Sequence, residues 1–198
     1  TVPAPSKIYD HPPAVVQALK PSYPVYCLRP EVLEAQARRF LSLFPGEVLY
    51  AMKCNPHPLV IQALYRAGIR HFDTASLPEI AQIAETYRDA NASFMEALKG
   101  RAVIKTAYEV YGVRHFVVDH ESELQKIDEV TGGDDDLVIV VRVETPPAPN
   151  TLYHLSSKFG AKPDEAVAIL KQAAAQGYGL GISFHVGSQC LTPAAYET

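Results

Sequence analysis

The chain has 198 residues, of which 47% are hydrophobic and 20% are charged, and its formal net charge is -4 at pH 7. Such values are typical of a globular domain with a sizeable core, and they give no reason to expect binding to nucleic acid or to a membrane surface. The apolar runs are too short to span a bilayer, the Pro-rich start lacks a signal-peptide core, and three irregularly spaced cysteines favour a reducing compartment, so we expect a cytoplasmic protein.

The N-terminal residues 1–22 are rich in proline and lack a clear periodicity, so they are predicted to form an extended segment before a single domain over residues 23–198. Within that domain, strand and helix patterns alternate along the chain. The predicted strands are residues 24–28, 48–51, 69–73, 93–95, 113–119, 137–143 and 179–185. The predicted helices are residues 31–43, 59–67, 78–87, 102–111, 121–130 and 163–176.

Repeated strand-then-helix units indicate a parallel sheet covered by helices. Residues 137–143 are almost entirely Val, Leu and Ile until Arg142, which is typical of a strand buried on both faces. The pattern fits a (β/α)8 barrel or a doubly wound sheet, and the lack of Gly-x-Gly-x-x-Gly after an early strand disfavours the second. About six units are present where a closed barrel has eight. We therefore expect an α/β fold, an incomplete TIM-type barrel whose remainder lies outside this chain.

Four residues with useful chemistry follow predicted strands, where a barrel places its active site. They are Lys53, Asp73, Arg142 and His185. Lys53 follows an apolar run that is interpreted as a buried strand, and desolvation there favours the neutral amine, which can form an imine with a carbonyl group. An isolated lysine at such a position is more often a surface residue. The second segment, Phe184-His185-Val186-Gly187-Ser188-Gln189, favours a functional role instead.

These two segments carry a family resemblance. Tyr50-Ala51-Met52-Lys53-Cys54-Asn55-Pro56 and His185-Val186-Gly187-Ser188-Gln189 resemble the barrel domain of the pyridoxal-phosphate (PLP) decarboxylases that act on ornithine, lysine or diaminopimelate. Further matching segments follow in the same order: Phe72-Asp73-Thr74-Ala75-Ser76, Val118-Asp119, Val141-Arg142-Val143 and Ser157-Lys158-Phe159-Gly160. Cys54-Asn55-Pro56 and the segment 185–190 are more similar to the ornithine/lysine branch than to the diaminopimelate branch.

The resemblance implies a fold type III barrel, related to that of alanine racemase, with PLP as cofactor. It implies decarboxylation of ornithine or lysine to a diamine for polyamine synthesis. It also implies a homodimer with shared active sites, in which a C-terminal β-domain, absent from this chain, completes the site of the neighbouring subunit.

The resemblance also assigns roles to three residues. Lys53 would carry the cofactor covalently. His185 would stack on the cofactor ring, although a histidine at a strand end is also compatible with a hydrogen-bonded core residue. Ser188 would donate to the cofactor phosphate, helped by the amides around Gly187, or would cap the helix predicted near Thr192.

The remaining polar residues have two interpretations each. Arg142 lies beside the cofactor or forms a structural ion pair, because a buried guanidinium needs a partner. Asp73 binds near the lysine and shapes its protonation, or caps the following helix. Glu79 is interpreted as a first-turn acid favoured by the helix dipole. Cys54 and His57 lack a second pair at ligand spacing, so no metal site is expected.

One segment departs from the family pattern. The chain has Glu96-Ala97-Leu98-Lys99-Gly100 where relatives carry His-Pro or Asn-Pro before a Lys-containing turn. This difference indicates an altered site geometry or a different substrate. The alternatives left open are a diaminopimelate decarboxylase, a PLP-carrying racemase or cofactor-homeostasis protein, and a regulatory homologue without decarboxylase activity.

Overall fold

The computed structural model describes residues 7–146, 151–153 and 158–197. The chain divides into two compact units, residues 1–72 and residues 73–198. The predicted domain over residues 23–198 spans both units and stays a prediction. No helix in the described ranges is long and apolar enough to cross a membrane.

The order of elements is the predicted alternation with additions. The strands are β1 Leu49–Ala51, β2 His71–Thr74, β3 Asn91–Phe94, β4 His115–Val118, β5 Val138–Arg142, β6 Thr151–Tyr153, β7 Gly179–Ser183 and β8 Ser188–Cys190. The α-helices are α1 Pro12–Leu19, α2 Pro30–Leu43, α3 Pro58–Ala67, α4 Leu77–Thr86, α5 Arg101–Glu109, α6 Glu121–Thr131 and α7 Pro163–Ala175. Short 3-10 helices lie at Met52–Cys54 and Pro193–Tyr196.

In the first unit, α2 packs against α3. Apolar residues repeat along one face of α3, and its buried side chains are Val60, Ile61, Ala63 and Leu64. The helix ends at Gly68, whose φ of 115 is left-handed, as predicted for a glycine cap. This cap turns the chain directly into β2.

The second unit is built on parallel pairs of strands. β3 pairs with β4, β4 with β5, and β5 with β7, and the register places Val118 opposite Val141 and Arg142 opposite Ser183. Within the second unit, the strand order is therefore β3-β4-β5-β7. Because the paired strands are parallel, their carboxyl ends lie at the same edge of the sheet.

The core of the second unit lies between these strands and the helices that cover them. Its fully buried side chains include Phe116, Ile139 and Val141 from the strands and Ile104, Leu124 and Ile127 from the helices. The strand β7 differs, since Leu180, Ile182 and Phe184 alongside it are 47%, 66% and 55% exposed. The outer face of β7 is therefore an apolar surface.

Two predictions about the elements are wrong, and one pair of strands was not predicted. Residues 12–19, expected to be extended, form α1, because its prolines occupy the first helical turn and His11 Nδ1 accepts from Ala14 N at 3.1 Å. Residues 24–28, expected to be a strand, are irregular, and Tyr26 among them is fully exposed. The antiparallel pair β6–β8 was not predicted, because each strand has only three residues and little pattern to recognise.

Candidate active site

Lys53 lies in the 3-10 turn directly after β1, and its side chain is exposed. The expectation that it follows a buried strand is wrong, because Leu49 is 41% exposed and the next two residues are only half-buried. The strand has only three residues. Buried Met52 anchors the turn.

The turn after Lys53 is fixed by local hydrogen bonds. The Tyr50 hydroxyl donates to the carbonyl oxygen of Asn55 at 3.4 Å, and the Asn55 side-chain oxygen accepts from His57 N at 3.1 Å. His57 Nδ1 then accepts from Leu59 N at 3.2 Å and caps α3. The segment thus presents Lys53 on a short, hydrogen-bonded turn, and His57 serves as a helix cap.

Arg142 is a cation of the second unit on which several acidic residues act electrostatically. It is the last residue of β5, it is half-buried, and its guanidinium carbon lies 5.0 Å from the centroid of the Phe159 ring. Burial lowers the pKa of Arg142, while the negative charges of Asp119, Glu96 and Asp73 act in the opposite direction. These acids lie in or just after β4, β3 and β2. Carboxylates from three successive strands therefore act electrostatically on one cation.

In the sequence, Asp119 is noted only as part of a segment that matches the family. In the structure, its side chain forms a hydrogen bond with the turn at Gly160. Its Oδ2 accepts from Gly160 N at 3.1 Å. Gly160 has a φ of 102, and a Cβ there would lie 2.5 Å from Glu144 N, so this position requires glycine. The bond holds the turn that places Phe159 beside Arg142. Asp119 shares with the predicted site residues its position at a strand end, which is the signal that identifies it.

His185 and Ser188 belong to the segment after β7. Thr145 Oγ1 donates to the His185 carbonyl oxygen at 2.9 Å, and His185 Nδ1 accepts from Gly187 N at 2.9 Å. Gly187 has a φ of 112 and Gln189 a φ of 53, so two left-handed residues flank Ser188. Ser188 is half-buried in β8. The helix-cap alternative does not fit, because the next helix begins only after Thr192.

The structure also separates the two interpretations of Asp73. Asp73 lies within β2, and α4 begins after Ser76, so Asp73 is not the N-cap of that helix. Glu79 is in the first turn of α4 and its Oε2 accepts from Ala75 N at 2.6 Å. The interpretation of Glu79 as a first-turn acid is confirmed.

The predicted site residues fall into both units. Asp73, Arg142, His185 and Ser188 belong to the second unit, and Lys53 belongs to the first. Arg142 faces the charge of Asp73, and its strand pairs with Ser183, two residues before His185. Ser157 and the stretch 147–150 lie outside the described residues.

Comparison of this chain with known proteins identifies its family. Residues 31–198 match the family model described as the pyridoxal-binding domain of the pyridoxal-dependent decarboxylases. The chain belongs to this family. A lysine/ornithine decarboxylase of Selenomonas ruminantium is 40% identical over 153 residues, which are 76% of this chain and 37% of the relative. The cofactor and the ornithine/lysine branch predicted from the sequence are thereby confirmed.

Solved structures of the family confirm the fold. The lysine/ornithine decarboxylase of Vibrio vulnificus, complexed with putrescine, has a TM-score of 0.76 at 31% identity and covers 93% of this chain and 47% of its own. An SrLDC variant in complex with PLP has a TM-score of 0.77 at 32% identity, and the match covers 96% of this chain and 49% of the variant. The predicted incomplete α/β barrel is confirmed, and the chain spans about half the length of these relatives or less.

The described residues fit the chemistry of PLP. Lys53 offers an exposed primary amine on an ordered turn. The left-handed backbone at Gly187 and Gln189 favours a turn in which amides and the Ser188 hydroxyl can receive a phosphate. Arg142 adds positive charge at the carboxyl end of β5.

Proposed function

We propose that the complete protein is a PLP-dependent decarboxylase that converts a basic amino acid, ornithine or lysine, to a diamine. The observation that carries this proposal is the position of Lys53 in the turn directly after β1, inside a pyridoxal-binding domain. The lysine/ornithine decarboxylases among its relatives support the substrate class. The predicted role in polyamine synthesis follows from the diamine product.

The protein residues bind and orient while the cofactor supplies the electronic chemistry. When bound, PLP would supply an electron sink for the pair left on the α-carbon by the loss of carbon dioxide. Lys53 would attach the cofactor through its amine. Ser188 and the amides near Gly187 would hold the phosphate, and the His185 ring, held by its bond to Gly187 N, would pack against the cofactor ring.

Arg142 has an electrostatic task in this proposal. Its positive charge attracts anionic groups of the cofactor or substrate, and Phe159 supports the flat guanidinium from one side. The negative charges of Asp119, Glu96 and Asp73 oppose the effect of desolvation on the pKa of Arg142.

Borohydride trapping tests the proposal. Reduction of the complete protein with PLP should fix the cofactor on the peptide containing Lys53, detected by mass spectrometry. The variant Lys53→Ala should lose both this label and decarboxylation of ornithine and lysine, whereas Lys171→Ala, on the exposed face of α7, should keep both. Full-rate decarboxylation by Lys53→Ala would contradict the assignment.

The proposed working unit is a cytoplasmic homodimer with shared active sites. The free cysteines Cys27 and Cys54 are exposed, which suits a reducing compartment. Mixing Lys53→Ala with a full-length variant that lacks the catalytic cysteine implied for the β-domain should restore up to about a quarter of native activity, because random exchange across a two-fold interface gives heterodimers with one intact site. If subunit exchange is verified by mass spectrometry and the mixture stays inactive, each site lies within one chain.

A further inference from the structure

Lys99 is a lysine whose side chain is completely buried, with 0% exposure. It lies in the loop between β3 and α5. Its Nζ donates to the carbonyl oxygens of Glu96, Ala97 and Val117 at 3.0, 3.3 and 2.6 Å, and it is 3.5 Å from Glu123 Oε2. Three carbonyls and one carboxylate thus enclose the ammonium group.

Glu123, in the first turn of α6, completes this arrangement. It is itself buried, its Oε2 accepts from Lys99 N at 3.3 Å, and its Oε1 pairs with Lys126 Nζ. Lys126 Nζ also donates to the Lys99 carbonyl oxygen at 2.8 Å. Burying an ammonium is costly unless its partners compensate, so this lysine is retained in the core by a specific set of acceptors.

The acceptors belong to two different strand ends. Glu96 and Ala97 follow β3, while Val117 lies in β4, two residues before Asp119. Glu96 and Asp119 are two of the acids whose charge acts on Arg142. The ammonium of Lys99 therefore joins the backbone segments that carry these two carboxylates.

We propose that Lys99 is a positioning residue, which holds the ends of β3 and β4 together so that Glu96 and Asp119 stay beside Arg142. It acts through backbone carbonyls and does not touch substrate or cofactor. Its consequence for catalysis rests on the proposed decarboxylase function. The proposal also bears on the segment 96–100, in which this chain lacks the proline of the family pattern: here the Lys99 side chain holds the loop.

Amide hydrogen exchange tests the holding role directly. In the complete protein without added PLP, Lys99→Met should speed exchange of the amides in residues 95–100 by at least about 10-fold, because the loop loses its central donor. Lys105→Met, which removes an exposed lysine of α5 paired with Glu109, should leave these amides unchanged. Unchanged exchange in Lys99→Met would overturn the proposal.

A second variant keeps the test usable if Lys99→Met does not fold. Glu123→Gln preserves the size of the side chain and removes the charge that faces Lys99 and Lys126. It should raise exchange in residues 95–100 by a smaller factor, on the order of 3-fold, because the carbonyl acceptors remain. Exchange equal to that of the unaltered protein would count against the proposal.

A double-variant cycle separates positioning from general stabilisation. If Lys99 acts through Glu96, the PLP dissociation constant and kcat/KM of the double variant Glu96→Gln/Lys99→Met should match those of Lys99→Met within about 2-fold. Losses that multiply would show independent roles and overturn the proposal. If the unaltered protein binds no PLP, the proposed function fails, and the exchange experiment still decides whether Lys99 holds the two strand ends.

Discussion

Lys99 and Arg142 are two cations of the second unit near strand ends, and they differ in burial and in the partners of their charged groups. Lys99 is fully buried and its donors are taken up by carbonyls of the chain and by Glu123. Arg142 is half-buried and lies over the Phe159 ring. The negative charges of three carboxylates act on its pKa. Both have a lowered pKa, and in both the first cause is desolvation.

The difference separates a group that organises the protein from one that can meet a ligand. An ammonium enclosed by the chain has no direction left for a substrate, so its effect is on the arrangement of the loop. A partly exposed guanidinium supported on one side keeps donors for an anionic ligand. Substitution should therefore damage stability more at Lys99 and turnover more at Arg142.

The largest effect is expected for Arg142→Met. Without the guanidinium, Asp73, Glu96 and Asp119 repel anionic groups of the ligand, and kcat/KM should fall by about 100- to 1000-fold. Arg101→Met is the control, because Arg101 is exposed and pairs with Glu129 at 2.6 Å. Steady-state kinetics measure both variants. Activity near that of the control would assign Arg142 to the fold instead of the site.

The titration of Lys99 should appear in the pH dependence of stability. Burial lowers its pKa from 10.5 to about 8, so between these values the unfolded chain binds more protons than the folded one. Stability contributed by this group therefore rises with pH across that window, by about 3 kcal/mol, since each tenfold change in proton affinity corresponds to about 1.4 kcal/mol. At pH 7 both states are protonated and the full penalty is present.

The measurement is urea unfolding of the complete protein and of Lys99→Met at several values between pH 7 and pH 11. As the pH rises, the unfolding free energy of the unaltered protein should increase relative to that of Lys99→Met. Tyr178 has a raised pKa, first from burial and then from its bond to Asp128, and its contribution is lost at high pH. Because both proteins contain Tyr178, its effect cancels in the difference. A constant difference would show that Lys99 does not titrate in this window.

The turn that places Phe159 beside Arg142 should be destabilised by Gly160→Ala. The left-handed φ of 102 and the approach of a Cβ to 2.5 Å from Glu144 N combine strain with overlap, so a loss of about 3 kcal/mol of unfolding free energy is expected. Gly112→Ala is the matched control, since its φ is 66 and nothing lies within 4 Å, and it should cost about 1 kcal/mol. Equal losses would mean that the turn around Gly160 can relax.

The smallest effect is expected for Ser188→Ala. Removing one hydroxyl donor to a charged phosphate should weaken PLP binding by about 1–3 kcal/mol and leave the fold intact. Ser42→Ala, which removes a hydroxyl from exposed α2, provides the comparison. Equilibrium dialysis gives both dissociation constants. If the two variants bind PLP equally, Ser188 does not contact the phosphate.

Local patterns predicted most of the fold because they depend on neighbours in sequence. The helix expected over residues 31–43 is Pro30–Leu43, and the strand expected over 137–143 is Val138–Arg142. The failures have physical causes. Two prolines that looked like a break occupy the first turn of α1, and the apolar stretch 24–28 has no strand beside it in the described residues.

The site was predictable only as far as strand ends could be located. Arg142 was identified because a cation interrupts an apolar strand, and Lys53 because it follows one. Lys99 had no such signal, since its burial depends on β4 and α6 arriving beside its loop. The exposure of Lys53 was also missed, because the cover of a strand depends on elements far away in sequence.

The bond between Gly187 N and His185 Nδ1 has a consequence for where the imidazole keeps its hydrogen. An Nδ1 atom that accepts from an amide at 2.9 Å leaves the neutral ring with its hydrogen on Nε2, so a single tautomer is selected. A proton added to Nδ1 would have to displace the amide of Gly187 from it. The charge state of His185 and the shape of the backbone next to Ser188 are therefore linked through one hydrogen bond.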